Sequence, residues 1–166
     1  MPTGLGWWAS FIMQTFLPYA SYAQSMKVLD PSRLGNQVYR EAVTLINGGW
    51  KNHPASKMWQ GHTHHLALYA LAGIQELEIR NLHYPETKSL IFQVLESTKD
   101  TGPPKWLGRE DVHASHRSNL LRKFPEWYGK FNWKEPDNLP YVWPTVTTPK
   151  PSAPRKLLGG RSTQGE

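Results

Sequence analysis

Apolar residues recur at helical spacing in four stretches of the chain, and no segment shows the two-residue alternation with β-branched residues that marks a strand. The first stretch opens at Asp30, which suits an N-cap, continues through Pro31 at the first helical position, and stops at Gly48-Gly49. With successive side chains about 100° apart, Leu34, Val38, Ala42, Leu45 and Ile46 fall within an arc of roughly 120° and predict a core-facing stripe over 30–46. Arg33, Gln37, Arg40, Glu41 and Thr44 gather on the adjoining arc. A stripe of long or hydroxyl side chains is the ordinary pattern of a solvated face. Glu41, set among Arg33, Gln37 and Arg40, also has the makings of an anion-binding face with one carboxylate in it.

A second helical region runs from Pro54 to about Asn81 with an interruption at Gly61; Leu66, Tyr69, Ala70, Gly73, Ile74 and Leu77 should face the core. Pro85 opens a shorter helix through Ser89, Ile91, Phe92, Val94 and Leu95. After the turn at Gly102-Pro103-Pro104, a further helix is predicted from Arg109 or Glu110 to Phe124, ahead of Pro125. The expected fold is all-α, a compact single-domain bundle of about four helices. Prolines crowd the chain from Pro136 onward and forbid regular helix there; Leu139-Pro-Tyr-Val-Trp-Pro144 is apolar enough to lie extended across the body. The divisions expected are an extension over 1–12, a helical domain over 13–146 and a disordered, basic and Pro-rich tail over 147–166.

Composition narrows the chemistry. The 166 residues include no cysteine, which excludes disulfides, thiolate nucleophiles and Cys-based zinc or iron–sulfur sites. The formal net charge is +6, and residues 99–134 carry eight basic against four acidic groups, so the excess sits mainly there. The same segment holds Trp106, Trp127, Tyr128 and Trp133, and aromatic faces beside cations suit unstacked bases. No stretch is long and apolar enough for a membrane span, and the apolar start lacks the basic flank and cleavage site of a signal peptide, so a cytoplasmic protein is expected.

Among the histidines, His62, His64 and His65 cluster, and His113 and His116 share a helical face. A zinc site usually wants three protein ligands, often with a carboxylate, and none lies near Gly61 before Glu76. They therefore read as helix-surface and hydrogen-bonded groups, with no metal expected. Gly4-Leu-Gly6 and Gly48-Gly49 match neither a P-loop nor a dinucleotide fingerprint. The run His113 to Lys130 offers Arg117, Arg122, Lys123 and Lys130 as phosphate donors and Trp127-Tyr128 as stacking surface. Leu120, Leu121, Phe124 and Trp127 in the same run also fit a plain core with solvated cations, and both readings stand at this level.

Tyr39-Arg40-Glu41, then His113…Ser115…Arg117, then Pro125-Glu-Trp-Tyr-Gly-Lys130 occur in an order and at separations that resemble the pyrimidine-dimer DNA glycosylase/AP-lyase family, small all-α repair enzymes of the endonuclease V type. The segments Met13-Gln-Thr-Phe-Leu-Pro-Tyr19, Val28-Leu-Asp30, Arg33-Leu-Gly35, Gly49-Trp-Lys-Asn-His-Pro54 and Leu139–Pro144 look like a phage and bacterial branch with the same activity. The similarity spans about residues 13 to 144, and it rests on the combination of blocks.

The resemblance implies an attack by the N-terminal α-amine on C1′ of a damaged nucleotide, a Schiff base and strand scission by β-elimination. It implies no cofactor, double-stranded DNA with damaged bases as partner, a monomer, and the host cytoplasm if phage-encoded. Glu41 matches the family's catalytic carboxylate, with Arg40 beside it as a phosphate or flipped-partner contact. The expected DNA-binding set is Arg33, Arg40, His113, His116, Arg117, Arg122, Lys123, Trp127, Tyr128 and Lys130. Two departures matter. The family start falls at Met13, twelve residues into the chain, so the amine is that of Met1, of Pro2 after methionine removal, or of Met13. The spacing from Arg33-Leu34 to Glu41 is also one residue longer than the family pattern, which sets Arg40 in competition with Glu41 for the inward direction. The alternative is a non-catalytic DNA-binding or virion-associated protein on the same fold; a His-dependent metal nuclease is a third reading, which a chelator would silence.

Overall fold

The computed structural model describes residues 14–49 and 52–144. The expected extension over 1–12, the candidate amines at Pro2 and Met13, and the expected tail over 147–166 lie outside these residues. The described chain is all-α: it forms seven helices and contains no strand. In chain order they are α1 (Tyr22–Val28), α2 (31–46), α3 (Pro54–Met58), α4 (Thr63–Ile79), α5 (Pro85–Ser97), α6 (Glu110–Lys123) and α7 (Pro125–Tyr128). The number exceeds the four expected because three of them, α1, α3 and α7, are no longer than seven residues, too short for periodicity to reveal.

Local chemistry sets the boundaries. Ser21 caps α1 by accepting from Gln24 N–H at 3.1 Å. Asp30 caps α2 as expected, accepting from Arg33 N–H, with Pro31 in the first turn. Gly61, at φ +83°, supplies the left-handed step between α3 and α4. Glu110 and Asp111 in the first turn of α6, and Arg122 and Lys123 in its last, have the signs that the helix dipole favours.

The middle of α2 departs from regular winding. Pro31–Gly35 and Val43–Ile46 are α-helical, but Asn36–Ala42 between them is a π-helix. A π turn takes up one residue more per hydrogen-bonded ring than an α turn, and such bulges recur at functional sites. The surplus residue between Leu34 and Glu41 is accommodated here. The competition at its end resolves in favour of Glu41, which is buried at 8 %, while Arg40 is exposed.

Helix α4 is the central pillar, packed against α1, α2 and α5. Its predicted core positions Leu66, Tyr69, Ala70, Gly73, Ile74 and Leu77 are all buried. The stripe Leu34, Val38, Ala42 and Leu45 of α2 meets it. The approach is close at Gly73, where a Cβ would fall 2.1 Å from Val38 Cγ2. The segment 139–144 lies along α6: Asn119 Nδ2 donates to Leu139 O at 3.1 Å, and Leu139 and Val142 donate their N–H groups to Ser118 and Ser115 hydroxyls.

A buried carboxylate beside a side-chain-anchored strap

Residues 14–18 form neither helix nor strand, yet all five are buried. Such a stretch is costly unless its backbone groups find partners, because each unpaired buried group costs about 1–3 kcal/mol. Side chains supply those partners from three helices. From α2, Glu41 Oε1 accepts from Gln14 N–H at 3.1 Å and Gln37 Oε1 accepts from Phe16 N–H at 2.6 Å. From α4, the Tyr69 hydroxyl donates to Phe16 O at 3.0 Å. From α6, His116 Nδ1 accepts from Leu17 N–H at 2.8 Å, His113 Nδ1–H donates to Leu17 O at 2.8 Å, and Arg117 donates to Pro18 O at 2.7 Å. Trp59 Nε1–H also donates to the side-chain hydroxyl of Thr15, at 3.0 Å. The strap is thereby held immediately against Glu41.

The carboxylate itself is tied by one oxygen. Oε1 accepts from Gln14 N–H and, at 2.5 Å, from Gln37 Nε2–H. Burial pushes the Glu41 carboxyl up to about 7, against the opposing pull of those two donors and of the Arg40 and Lys123 charges. A carboxyl poised near neutrality can both accept and return a proton under physiological conditions.

Cations gather round it from two elements. Lys123 of α6 is half-buried; its pKa is lowered by burial and then by Arg33 and Arg122, while Glu41 acts in the opposite direction. Tyr141, from the segment along α6, is raised chiefly by burial and senses Arg122, Arg33 and Glu41. Arg40 and Lys123 therefore act on the acid directly. Arg33, paired with Asp30, and Arg122, bonded to Asn119 Oδ1 and Asp137 O, stand near Lys123, a concentration of positive charge suited to a phosphodiester.

Other expected DNA contacts sit elsewhere. His113 and His116 are 2 % and 0 % exposed and anchor the strap instead of facing DNA. Gly108 N–H donates to His113 Nε2 at 3.0 Å, so that both ring nitrogens are engaged. Burial lowers the His116 pKa to about 3, keeping its ring neutral so that Nδ1 can accept. Arg117 is committed to Pro18 O, Glu110 and Glu135 and is not a free phosphate donor. Tyr128, expected as stacking surface, is fully buried: its hydroxyl bonds both the N–H and the carboxylate of Asp30, fixing the start of α2. Trp127 is half-buried, its Nε1–H on Val28 O at 2.8 Å and the Lys130 ammonium 3.8 Å over its ring.

His62, His64 and His65 are spent on Gly102 O, the Thr98 hydroxyl and the Tyr22 hydroxyl, pinning the 98–102 loop and α1 to α4. Among the described residues, no group of three His, Asp or Glu is placed to hold a metal ion. Nor is any helix long and apolar enough to cross a membrane. Gln37 and Tyr69, which the pattern assigned to a polar stripe and to the core, prove to be partners of the site; a carboxamide at the margin of an apolar arc was the only hint.

No curated protein and no solved structure matches the chain. A family described as Pyrimidine dimer DNA glycosylase matches residues 13–91. That stretch holds the strap, Glu41, Gln37 and Tyr69, whereas the blocks around Arg117, Trp127 and Tyr141 lie past it. Through residues 13–91, the chain is similar to the pyrimidine dimer DNA glycosylase family.

Proposed function

We propose that the protein is a DNA glycosylase and AP lyase that acts on pyrimidine dimers in double-stranded DNA through a chain-start amine and Glu41, without a metal. One observation carries this proposal: the backbone nitrogen of Gln14, the residue after Met13, lies 3.1 Å from the carboxylate of Glu41. An amine at Met13 would stand next to the acid; one at Met1 or Pro2 would be delivered by the twelve residues before it. An α-amine has an ordinary pKa near 7.7–8.0, against about 10.4 for lysine, and so keeps a useful neutral fraction at physiological pH.

In the first step the neutral amine forms a bond to C1′ as the C1′–N bond to the base breaks. The bonding pair leaves with the base, which takes up a proton. Ionised Glu41 stabilises the positive charge that develops on the sugar. The amine nitrogen then loses a proton, and its lone pair forms the C1′=N bond as the C1′–O4′ bond breaks and O4′ takes up a proton, which gives the iminium form of the Schiff base. A proton at C2′ is then removed by the carboxylate, and the 3′ phosphate departs with the electron pair of its C–O bond. Proton transfer by a positioned group of this kind contributes about 10²–10⁴-fold. Arg33, Arg40, Arg122 and Lys123 hold the phosphates that flank the reacting sugar, and the poor stacking of a dimer lowers the cost of extruding a nucleotide.

The test is strand nicking of an ultraviolet-irradiated duplex in the presence of chelator. Wild-type protein should nick it and spare the undamaged duplex, and Glu41→Gln should lose about two orders of magnitude or more. Binding that falls steeply with salt but ignores the damage, with no nicking, would assign the chain to the non-catalytic alternative.

A further inference from the structure

We infer that Gln37 is a positioning residue that ties Glu41 by Oε1 alone and leaves Oε2 as the oxygen that meets the substrate and carries the proton. This rests on the proposed role of Glu41, and it adds a residue that the resemblance to the family did not single out. The orientation of the Gln37 amide is not arbitrary. Its Oε1 lies 2.6 Å from the N–H of Phe16, a group that can only donate, and 3.2 Å from the Tyr69 hydroxyl. The atom facing the Phe16 N–H must therefore be the oxygen, which turns the amide nitrogen toward Glu41. At 2.5 Å that nitrogen meets Oε1, which the Gln14 N–H also occupies. One carboxylate oxygen thus accepts two N–H donors, while Oε2 has no hydrogen bond within the described residues.

Two N–H donors on Oε1 leave a proton on Glu41 only the other oxygen to occupy. A carboxylate held in this way has a defined reactive oxygen and a fixed orientation, which is what supporting contacts supply to a catalytic group. The π turn gives Gln37 its place, because Gln37 and Glu41 both point inward from the irregularly wound stretch while Tyr39 and Arg40 between them are exposed. The other charged or titratable groups acting on Glu41 are Arg40 on its own helix, Lys123 from α6, Tyr69 from α4 and Tyr141 from the segment along α6.

Gln37→Met removes both functions of the amide at nearly constant length, and Gln37→Leu, which likewise brings no donor and no charge, serves if the methionine variant does not fold. The carboxyl resonance of Glu41 is followed by carbon NMR across pH in glutamate-labelled protein and assigned by its loss in Glu41→Gln. Nicking of the irradiated duplex is followed across the same pH range. Removing the donor should raise the Glu41 midpoint by about one unit, a tenfold gain in proton affinity, and the acid limb of the nicking profile should move up with it while KM stays unchanged. An unmoved Glu41 midpoint in a folded variant overturns the inference, as does a midpoint that moves without the nicking profile. If wild-type protein does not nick at any pH, the lyase proposal fails, and the NMR titration still decides whether Gln37 holds the carboxylate.

Discussion

Glu41 is held under two opposed influences, burial that favours its neutral form and two N–H donors that favour its anion, and burial prevails by enough to bring the carboxyl up to about 7. If the ionised form supports departure of the base, nicking should climb through pH 7 and level off above it. A pH–rate profile of kcat/KM on irradiated duplex checks this: an acid limb centred near 7 is expected, whereas a limb near 4.5 would mean that Glu41 is solvated in the working enzyme. At this scale the sequence was informative about the acid and silent about its partner. The helical wheel put Glu41 at the edge of the apolar arc, next to the residues that face α4. Gln37 sits on the same edge, but nothing in its neighbours told that a backbone N–H twenty-one residues away would need its oxygen. His116 and Tyr128 were read as surface because their neighbours are polar or cationic; tertiary contacts with the strap and with Asp30 bury them.

Among the elements, the contact that positions Glu41 is the crossing of α2 on α4. With 2.1 Å between a Cβ at position 73 and Val38 Cγ2, Gly73→Ala forces α2 outward at its π turn. It should cost about 1–3 kcal/mol, as overpacking generally does, and should lower nicking by more than the stability loss explains. Shortening the opposing residue in Gly73→Ala/Val38→Ala should recover much of the effect, a coupling that urea melts of the two single variants and the double variant would reveal. Additive losses would show that the close approach does not carry the positioning. The four long helices were legible because each spans three turns or more and repeats its apolar stripe. α1, at seven residues, offered too little repetition, and the π winding of α2 left no mark in the pattern beyond one residue of surplus spacing.

For the whole molecule, Glu41 and His116, two buried titrating groups that hold the strap, act in opposite directions on stability. Glu41 has its carboxyl raised from 4.5 to about 7, so between those values the folded chain holds a proton that the unfolded chain has lost, and stability falls as pH rises. His116 is lowered from 6.5 to about 3, so across that interval the unfolded chain holds the extra proton and stability rises with pH. Between pH 4.5 and 6.5 the two slopes, each about 1.4 kcal/mol per unit, offset one another. In Glu41→Gln only the His116 slope remains, and its stability should climb by about 3 kcal/mol relative to wild type over that window. Denaturant titrations at three pH values compare them; parallel curves would contradict the raised carboxyl of Glu41, and a flat curve for Glu41→Gln the lowered ring of His116. The all-α class and the concentration of positive charge were plain from composition and periodicity, but the path of the strap depends on contacts nearly one hundred residues apart and no local pattern records it.

Borohydride trapping with an irradiated duplex, followed by mass spectrometry of the attached peptide, tests the union of strap and acid most directly. Protein started at Met1 and protein started at Met13 are both used. A covalent adduct on the chain-start amine, slowed or abolished in Glu41→Gln, is the predicted result. No adduct from either form, or an adduct on an internal lysine that ignores the loss of Glu41, would contradict it.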